Sequence, residues 1–490
     1  DMLGSARWVG ELAQRYPARE ITPLTPWFAN ISIHDVEITG CSTLVDVSAL
    51  PEKPVKNFFF GNVKAHCDRI GKICDATKFS MKDVRIESCD TVMRIDNCDY
   101  ASFFGFSNVT TGSSVKIEKT GGECRYLNVQ TYPLVPVNYQ SIRPGEVWLD
   151  TEGKPIQAHG FQVTFREGKY YWYGEDKTHT LFGTNRMFGG VRCYSSTDFY
   201  NWKDEGRIIE PATDPHSPLH HCQKLERPHI LYCAKTGRYV CWLKSQSNDG
   251  HFVILEAEHF MGPYHFVRNL KPNGFAVGDF DMYADPDTGK GYVWFERPHW
   301  EQICAELSDD YTNVNGRYSE HFVGKVPPFT REAAAHFVMD GKHYIYTSGT
   351  TSYTPNPSEV AVFDDYHGEY TVLGNPHIGD EYAHSFCSQI TSVIKIPGKD
   401  LYVAMADRWL PHTNKTDIPK KDWQSFLTRY KDHRPYPKDF ATPKVADRFY
   451  TLVNPNQDVY KATYVFLPIV VKDGIPMIEW KDEWKLENYE

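Results

Sequence analysis

The chain has 490 residues, which at roughly 150 residues per domain allows two or three domains with room for full cores. Apolar residues make up 41% and charged residues 24%, so whole-chain disorder is excluded, while aromatics at 14% stand out in an otherwise ordinary globular composition. Lys+Arg 53 against Asp+Glu 63 leaves −10, which gives no basic field for a phosphate backbone and excludes nucleic acid as the expected partner.

The opening stretch SARWVGELAQRY places Trp8, Val9, Leu12 and Tyr16 on one helical face, which predicts a helix capping the structure that follows. From Phe28 a short phrase recurs as FANISIHDVEI, KNFFFGNVKA from Lys56, TKFSMKDVRI from Thr77 and ASFFGFSNV from Ala101. The starts lie 28, 21 and 24 residues apart, each with alternating apolar residues and an Asn or Asp before a Val, which predicts coils of a short parallel β-helix. TPWFANISIHDVEITGC from Thr25 and LPEKPVKNFFFGNV from Leu50 resemble the last coils of family 28 polygalacturonases, over about 110 residues. The catalytic coils of that family have no counterpart, so the resemblance implies a β-helical scaffold, or a dock for a pectic polymer, without polygalacturonase activity. The expected β-helical domain is residues 1–141.

After Pro144 the period changes. Five times a Gly-containing turn precedes an aromatic strand: GKYYWYGE from Gly168, GRYVCWLKS from Gly237, GKGYVWFER from Gly289, GKHYIYTSG from Gly341 and GKDLYVAMADRW from Gly398. Five units of about 50 residues predict an all-β, five-bladed β-propeller over residues 142–490. A Pro-, Lys- and Asp-rich insertion from about Pro411 to Tyr460 interrupts the last unit. Beyond it, Val465 to Val471 is the strongest candidate for a membrane-spanning run, and Pro468 interrupts it well short of the roughly 18 residues that span a bilayer. Tyr170, Trp172, Trp242 and Trp294 lie in regular strands and read as core.

In a propeller the innermost strand of each blade starts near the axis, so the residues before each Gly turn are the ones that converge. IQAHGFQ, LERPHI, GDFDMY, TREAAAH and FCSQITS supply His159, Glu226, Asp281, Glu332 and Gln389. Three carboxylates at equivalent positions repel one another and drive one towards protonation at neutral pH. A protonated carboxyl among carboxylates suits glycosidic bond hydrolysis. HSPLHHCQKLERPH carries His216, His220, His221, Cys222 and His229, but no zinc spacing, and among twelve cysteines there is no CxxC pair. No metal site is expected from these residues.

These phrases, with YSSTDFYNW, ERPHILYCAKTGRYV, AELSDDYTNV, MADRW and IEWKDEW, resemble glycoside hydrolase family 43 and its exo-β-1,3-galactanase-like branch, from Ile142 to Leu486. The resemblance implies Glu332 as general acid, Asp281 as the carboxylate that raises its pKa, and Glu226 and Arg227 as contacts to sugar hydroxyls. It implies Gln389 as the residue that positions or activates water, because the usual first-blade Asp base is missing from IQAHGFQ. Glu175 and Glu226 stand as alternatives for that duty. His159 is placed for a ligand contact or a water-mediated structural calcium; no cofactor is otherwise required. Trp409 either forms a sugar platform or closes the last blade. The family's REAP reads REAA here, and small residues after AHG are replaced by Phe161, so Phe161 and Ala333 are expected to line the terminal pocket.

The expected function is an inverting, exo-acting hydrolase of plant-type polysaccharide, with β-1,3-linked galactose first and α-L-arabinofuranoside second. A non-catalytic glycan-binding propeller is the expectation from a different class. The expected location is extracytoplasmic, with any signal peptide removed or outside the chain.

Overall fold

The computed structural model describes residues 18–125, 127–131, 137–178, 180, 187–246, 250–325, 329–351, 353, 355–409 and 459–490. The expected capping helix at the start of the chain and nearly all of the expected 411–460 insertion lie outside the described residues. The chain divides into two compact units, Asp1–Val137 with Thr151–Lys154, and Asn138–Asp150 with Pro155–Glu490. Among the described residues there is no α-helix.

The first unit is a parallel β-solenoid of about four turns. Ala29–Ser48 pairs in parallel with Val55–Glu87, starting from Ala29 opposite Lys56, and Val55–Glu87 then pairs with Val92–Asp99, Lys72 facing Arg94. The Asn or Asp before each Val has a physical reason at three of its four positions. Asp35, Asn62 and Asp83 have φ of 57°, 47° and 52°, the left-handed conformation that turns a coil corner and that these short polar side chains tolerate. Corners stack by side-chain bonds: Asn57 Nδ2 donates to Asn30 Oδ1 at 2.8 Å, and Asn62 Nδ2 to Asp35 Oδ1 at 2.6 Å. Asn108 differs, donating to the carbonyls of Ser88 and Asp90 instead.

Inside the solenoid Phe58, Phe79, Phe103 and Phe106 form an aromatic ladder; Phe58 and Phe79 stack with centroids 4.8 Å apart, and Phe79 is fully buried. Each rung supports the next coil, because a single coil encloses no core of its own. Phe79→Ala is expected to lower the stability of this unit by about 3–5 kcal/mol, read as an earlier unfolding midpoint in urea with the propeller's transition unmoved.

The second unit is the five-bladed propeller. Four blades are antiparallel four-stranded sheets in chain order, and the fifth gains a short parallel strand, His377–Ile378. The innermost strands are His159–Arg166, Leu225–Cys233, Phe280–Ala284, Arg331–Met339 and Gln389–Lys395, each beside the next, with the fifth beside the first, so the ring closes. Apolar side chains fill the space between blades: Trp172, Trp242 and Trp294 are fully buried and Tyr170 nearly so, as their place in regular strands predicts. Each of the twelve cysteines is a thiol.

Candidate active site

The innermost strands of blades 1, 2 and 4 carry a bulge at one level. Two residues oppose one after His159, after Glu226 and after Glu332, and the first extra residue is left-handed each time: Gly160 at φ 54°, Arg227 at 52° and Ala333 at 50°. A bulge bends the strand and re-aims the side chains beside it. At Gly160 the absence of a Cβ is itself required, since one would lie 2.6 Å from Glu175 Oε1. Left-handed Arg227 and Ala333 store backbone strain at the same level, a feature that clusters at functional sites.

At this level lies a cavity of about 510 Å³, lined by Glu175, Lys177, Lys224, Glu226, Arg227, Lys244, Gln246, Asp279, Glu332, Tyr353, Gln389 and Trp409. It sits where innermost strands begin and second strands end. Four acids and four bases face it, which is unusual for a lining of this size and makes electrostatics its main property.

Glu332 carries the least compensated charge. Among the described residues its one hydrogen bond is long, 3.4 Å from Gln389 Nε2. Burial, then the nearby carboxylates of Glu296 and Asp279, push its carboxyl well above the usual range, and Lys244 and Arg227 only partly oppose them. Glu332 is therefore the carboxyl of this set most strongly biased towards its protonated form. Glu226 goes the other way. Burial would raise it, but Lys244, Lys224 and Lys177 outweigh burial and hold it below the usual range, with Lys244 Nζ at 2.7 Å. Asp279 is likewise held low against burial by Arg227 Nε at 2.7 Å and Lys244 Nζ at 2.6 Å.

Glu175 comes from the end of a second strand. Its Oε1 accepts from the Arg227 backbone N–H at 3.0 Å and its Oε2 from Lys177 Nζ at 2.5 Å. Burial still raises its carboxyl, helped by Glu226 and opposed by Lys177. Gln389 Oε1 accepts from Arg227 Nη2 at 3.0 Å and from Trp409 Nε1 at 3.1 Å, both groups that only donate, so the amide orientation is fixed and both carbonyl lone pairs are used. Its Nε2 donates to Ser348 Oγ at 2.9 Å. Trp409, 8% exposed, lines the cavity beside Tyr353 and Lys177. Arg227 is buried, yet its Nη1 has no hydrogen-bond partner among the described residues. A buried unpaired guanidinium donor costs free energy that a ligand oxygen recovers.

The structure brings Glu332, Glu226, Arg227, Glu175, Gln389 and Trp409 together at the cavity. Asp281 and His159 do not line the cavity. Asp281 accepts backbone N–H groups of Met282 at 2.8 Å and His336 at 2.6 Å, and lies 3.0 Å from His229 Nε2, near Gln162. Those partners lie two to four residues further along their strands than the lining residues, so Asp281 is one repeat deeper on the channel, and Asp279 occupies the place expected of it. His159 is fully buried, with Nδ1 2.9 Å from Asp407 Oδ1 and Nε2 3.3 Å from the Tyr464 hydroxyl. It braces blade 1 against blade 5.

Two further expectations are corrected. Phe161 is fully buried against Trp172, Tyr464 and Phe466 in the interblade core, because the bulge points it away from the axis, and Ala333 is buried without lining the cavity. Lys177, Lys244, Asp279 and Glu296 were missed; the available signal was that second-strand ends, such as GED and WLKS, reach the same level as innermost-strand starts. His220, His221 and Cys222 do bring potential ligand atoms within 4.8 Å of one another, on the loop before blade 2 and outside the cavity lining.

Residues 161–393 match the model of glycosyl hydrolases family 43. The chain is similar to a solved family 43 β-1,3-galactosidase at 27% identity and a TM-score of 0.58, over 72% of this chain and 65% of that one. A second family 43 β-1,3-galactosidase, solved with galactodeoxynojirimycin, matches at 27% identity and a TM-score of 0.57, over 70% of this chain and all (100%) of that one. An exo-β-1,3-galactanase from Phanerochaete chrysosporium, solved with β-1,3-galactotriose, shares the fold at 22% identity and a TM-score of 0.56, over 71% and 68% of the two chains. No curated protein matches. The family 43 match runs from the first blade into the fifth, and the propeller is shared with these solved family 43 structures.

Proposed function

We propose that the propeller is an inverting, exo-acting glycoside hydrolase that releases a terminal sugar from plant-type polysaccharide, with β-1,3-linked galactose as its first substrate. The observation that carries this reading is Glu332, a buried carboxyl whose ionisation is pushed up beside Glu226 and Asp279, whose ionisations are held down, and which faces a cavity with an unpaired Arg227 donor. A carboxylic acid poised to protonate a leaving oxygen is what glycosidic cleavage needs. The two 27% identical structures are β-1,3-galactosidases, which favours galactose.

In this reading Glu332 donates its proton to the glycosidic oxygen. Water attacks from the opposite face. Glu175 is the better general base, because its raised carboxyl accepts a proton at neutral pH more readily than Glu226, which lysines hold ionised. Glu226, Arg227 and Trp409 bind the sugar, and Gln389 holds Arg227, Trp409 and Glu332 in register. In this reading side chains supply every step. Extracytoplasmic action fits a polymeric substrate, and the solenoid's part is to dock a pectic polymer, read out as retention of the full chain on immobilised galacturonan.

The test is chromatography of products from β-1,3-galactan, arabinan and rhamnogalacturonan oligosaccharides, with NMR of the first-formed anomer. Galactose alone, appearing first as the α-anomer, is expected. Arabinose alone would move the substrate to α-L-arabinofuranosides. No release from any member, with binding retained, would make the propeller a glycan-binding module.

A further inference from the structure

Blade 3 carries an aromatic surface on the acid's side of the cavity. Glu296 ends the second strand of this blade and exchanges backbone bonds with the cavity-lining level: Gly278 N–H donates to Glu296 O at 2.7 Å, and Glu296 N–H to Asp279 O at 2.9 Å. A tight hairpin follows at once. Trp300 N–H donates to Arg297 O at 2.8 Å, and Arg297 N–H to Glu301 O at 3.0 Å. The hairpin is anchored to the acid's neighbourhood, because His299 N–H donates to Glu296 Oε1 at 2.7 Å.

Trp300 is 63% exposed, more than any other aromatic residue among those described. It is also ordered in place. The Arg297 guanidinium lies 5.2 Å from the Trp300 ring and 5.5 Å from the Phe275 ring, and Glu301, 2.9 Å from Arg297 Nη2, pins it. Phe275 packs edge-on against Tyr318 at 5.3 Å, and Tyr318 is itself 43% exposed on the outer strand of the blade. Trp300, Arg297, Phe275 and Tyr318 thus form a continuous strip running outward from the level of Asp279. Arg297 lies against the indole, which stays largely exposed.

A strip of this kind has a direction relative to the chemistry. The general acid protonates the leaving oxygen, so the leaving part of the substrate lies on the Glu332 side, at blades 3 and 4, while Glu175 and Glu226 come from blades 1 and 2. Large flat apolar faces with a polar edge pack against the C–H faces of sugar rings and cost little conformational entropy to order, and here the guanidinium and Glu301 add hydrogen-bonding groups. We propose that the Trp300–Arg297–Phe275–Tyr318 strip binds the sugar residues of the polymer on the leaving-group side of the scissile bond, and so selects long substrates over short ones. This rests on the hydrolase reading for its direction, but binding itself is measurable without turnover.

The experiment compares wild type, Trp300→Ala, Tyr318→Ala and Trp300→Phe on an aryl β-galactoside and on β-1,3-galactan, alongside affinity electrophoresis in gels containing soluble β-1,3-galactan. Trp300→Ala is expected to lower kcat/KM on galactan about tenfold, with kcat/KM on the aryl galactoside unchanged and migration in the galactan gel no longer retarded. Trp300→Phe is expected to restore most of both, and Tyr318→Ala to show a smaller loss confined to galactan. Equal losses on both substrates, or full retention of galactan binding in Trp300→Ala, would overturn the proposal. Galactan binding that depends on Trp300, without hydrolysis by wild type, would reject the hydrolase reading and keep the strip as a glycan site.

Discussion

Glu332→Gln is expected to lower kcat on β-1,3-galactan by at least about 100-fold while leaving substrate affinity nearly unchanged. The amide has the size of the acid and keeps a hydrogen-bond partner in Gln389, but it has no acidic proton for the leaving oxygen. The pH profile carries a second expectation. Glu332 is active as the protonated form, and burial with Glu296 and Asp279 sets its ionisation well above the ordinary carboxylate range. Wild-type activity is therefore lost as pH rises through that raised ionisation, at a higher pH than an ordinary carboxyl would set. The residual activity of the variant lacks this alkaline limb. An unchanged rate would remove Glu332 from the mechanism.

Asp279→Asn and Asp281→Asn are expected to part company, although the residues are two apart on the chain. Asp279 accepts from Arg227 and Lys244 and is one of the carboxylates that bias Glu332 towards its protonated form. Its amide removes that charge, so the alkaline limb moves to lower pH. Arg227 and Lys244 also lose a buried partner, which adds misplacement of the sugar-binding guanidinium. A fall in kcat/KM of about 100-fold is expected, with circular dichroism unchanged. Asp281→Asn keeps one acceptor oxygen and turns the other into a donor, so one of the Met282 and His336 backbone N–H groups loses its partner, at a cost of about 1–3 kcal/mol in stability. Its alkaline limb should stay in place. The reverse pattern, with the limb moved by Asp281→Asn alone, would return to Asp281 the role that GDFDMY first suggested.

That pair shows where the sequence was legible and where it was not. Alternation along a strand told which residues face the axis, because side chains at i and i+2 share a face. It carried no information on depth along the axis, so Asp279 and Asp281 were equivalent on paper, and only the pairing of Phe280 with Phe295 and of Gly278 with Glu296 separates them. Phe161 failed for a related reason: a bulge after His159 reverses the alternation, and a bulge leaves no mark in a run such as HGFQVTF except its glycine. The Asn-or-Asp rule of the solenoid was readable because left-handed corners restrict residue type strongly, and it missed only at Asn108. Lysines were the blind spot. Lys244 lies in an apolar strand end, WLKS, where its burial against two carboxylates follows from three-dimensional neighbours that lie far away in the chain.

General-acid catalysis by Glu332 is tested most directly by how the loss in Glu332→Gln depends on the leaving group. Rates of both proteins on β-galactosides whose leaving groups run from dinitrophenol to simple alcohols separate proton donation from every other effect of the substitution. Leaving groups that depart without a proton should be cleaved with only a few-fold loss, and the loss should grow to at least about 100-fold as the leaving oxygen becomes more basic. A loss that is the same along the whole series would contradict the account, because a residue that only shapes the cavity affects good and poor leaving groups alike.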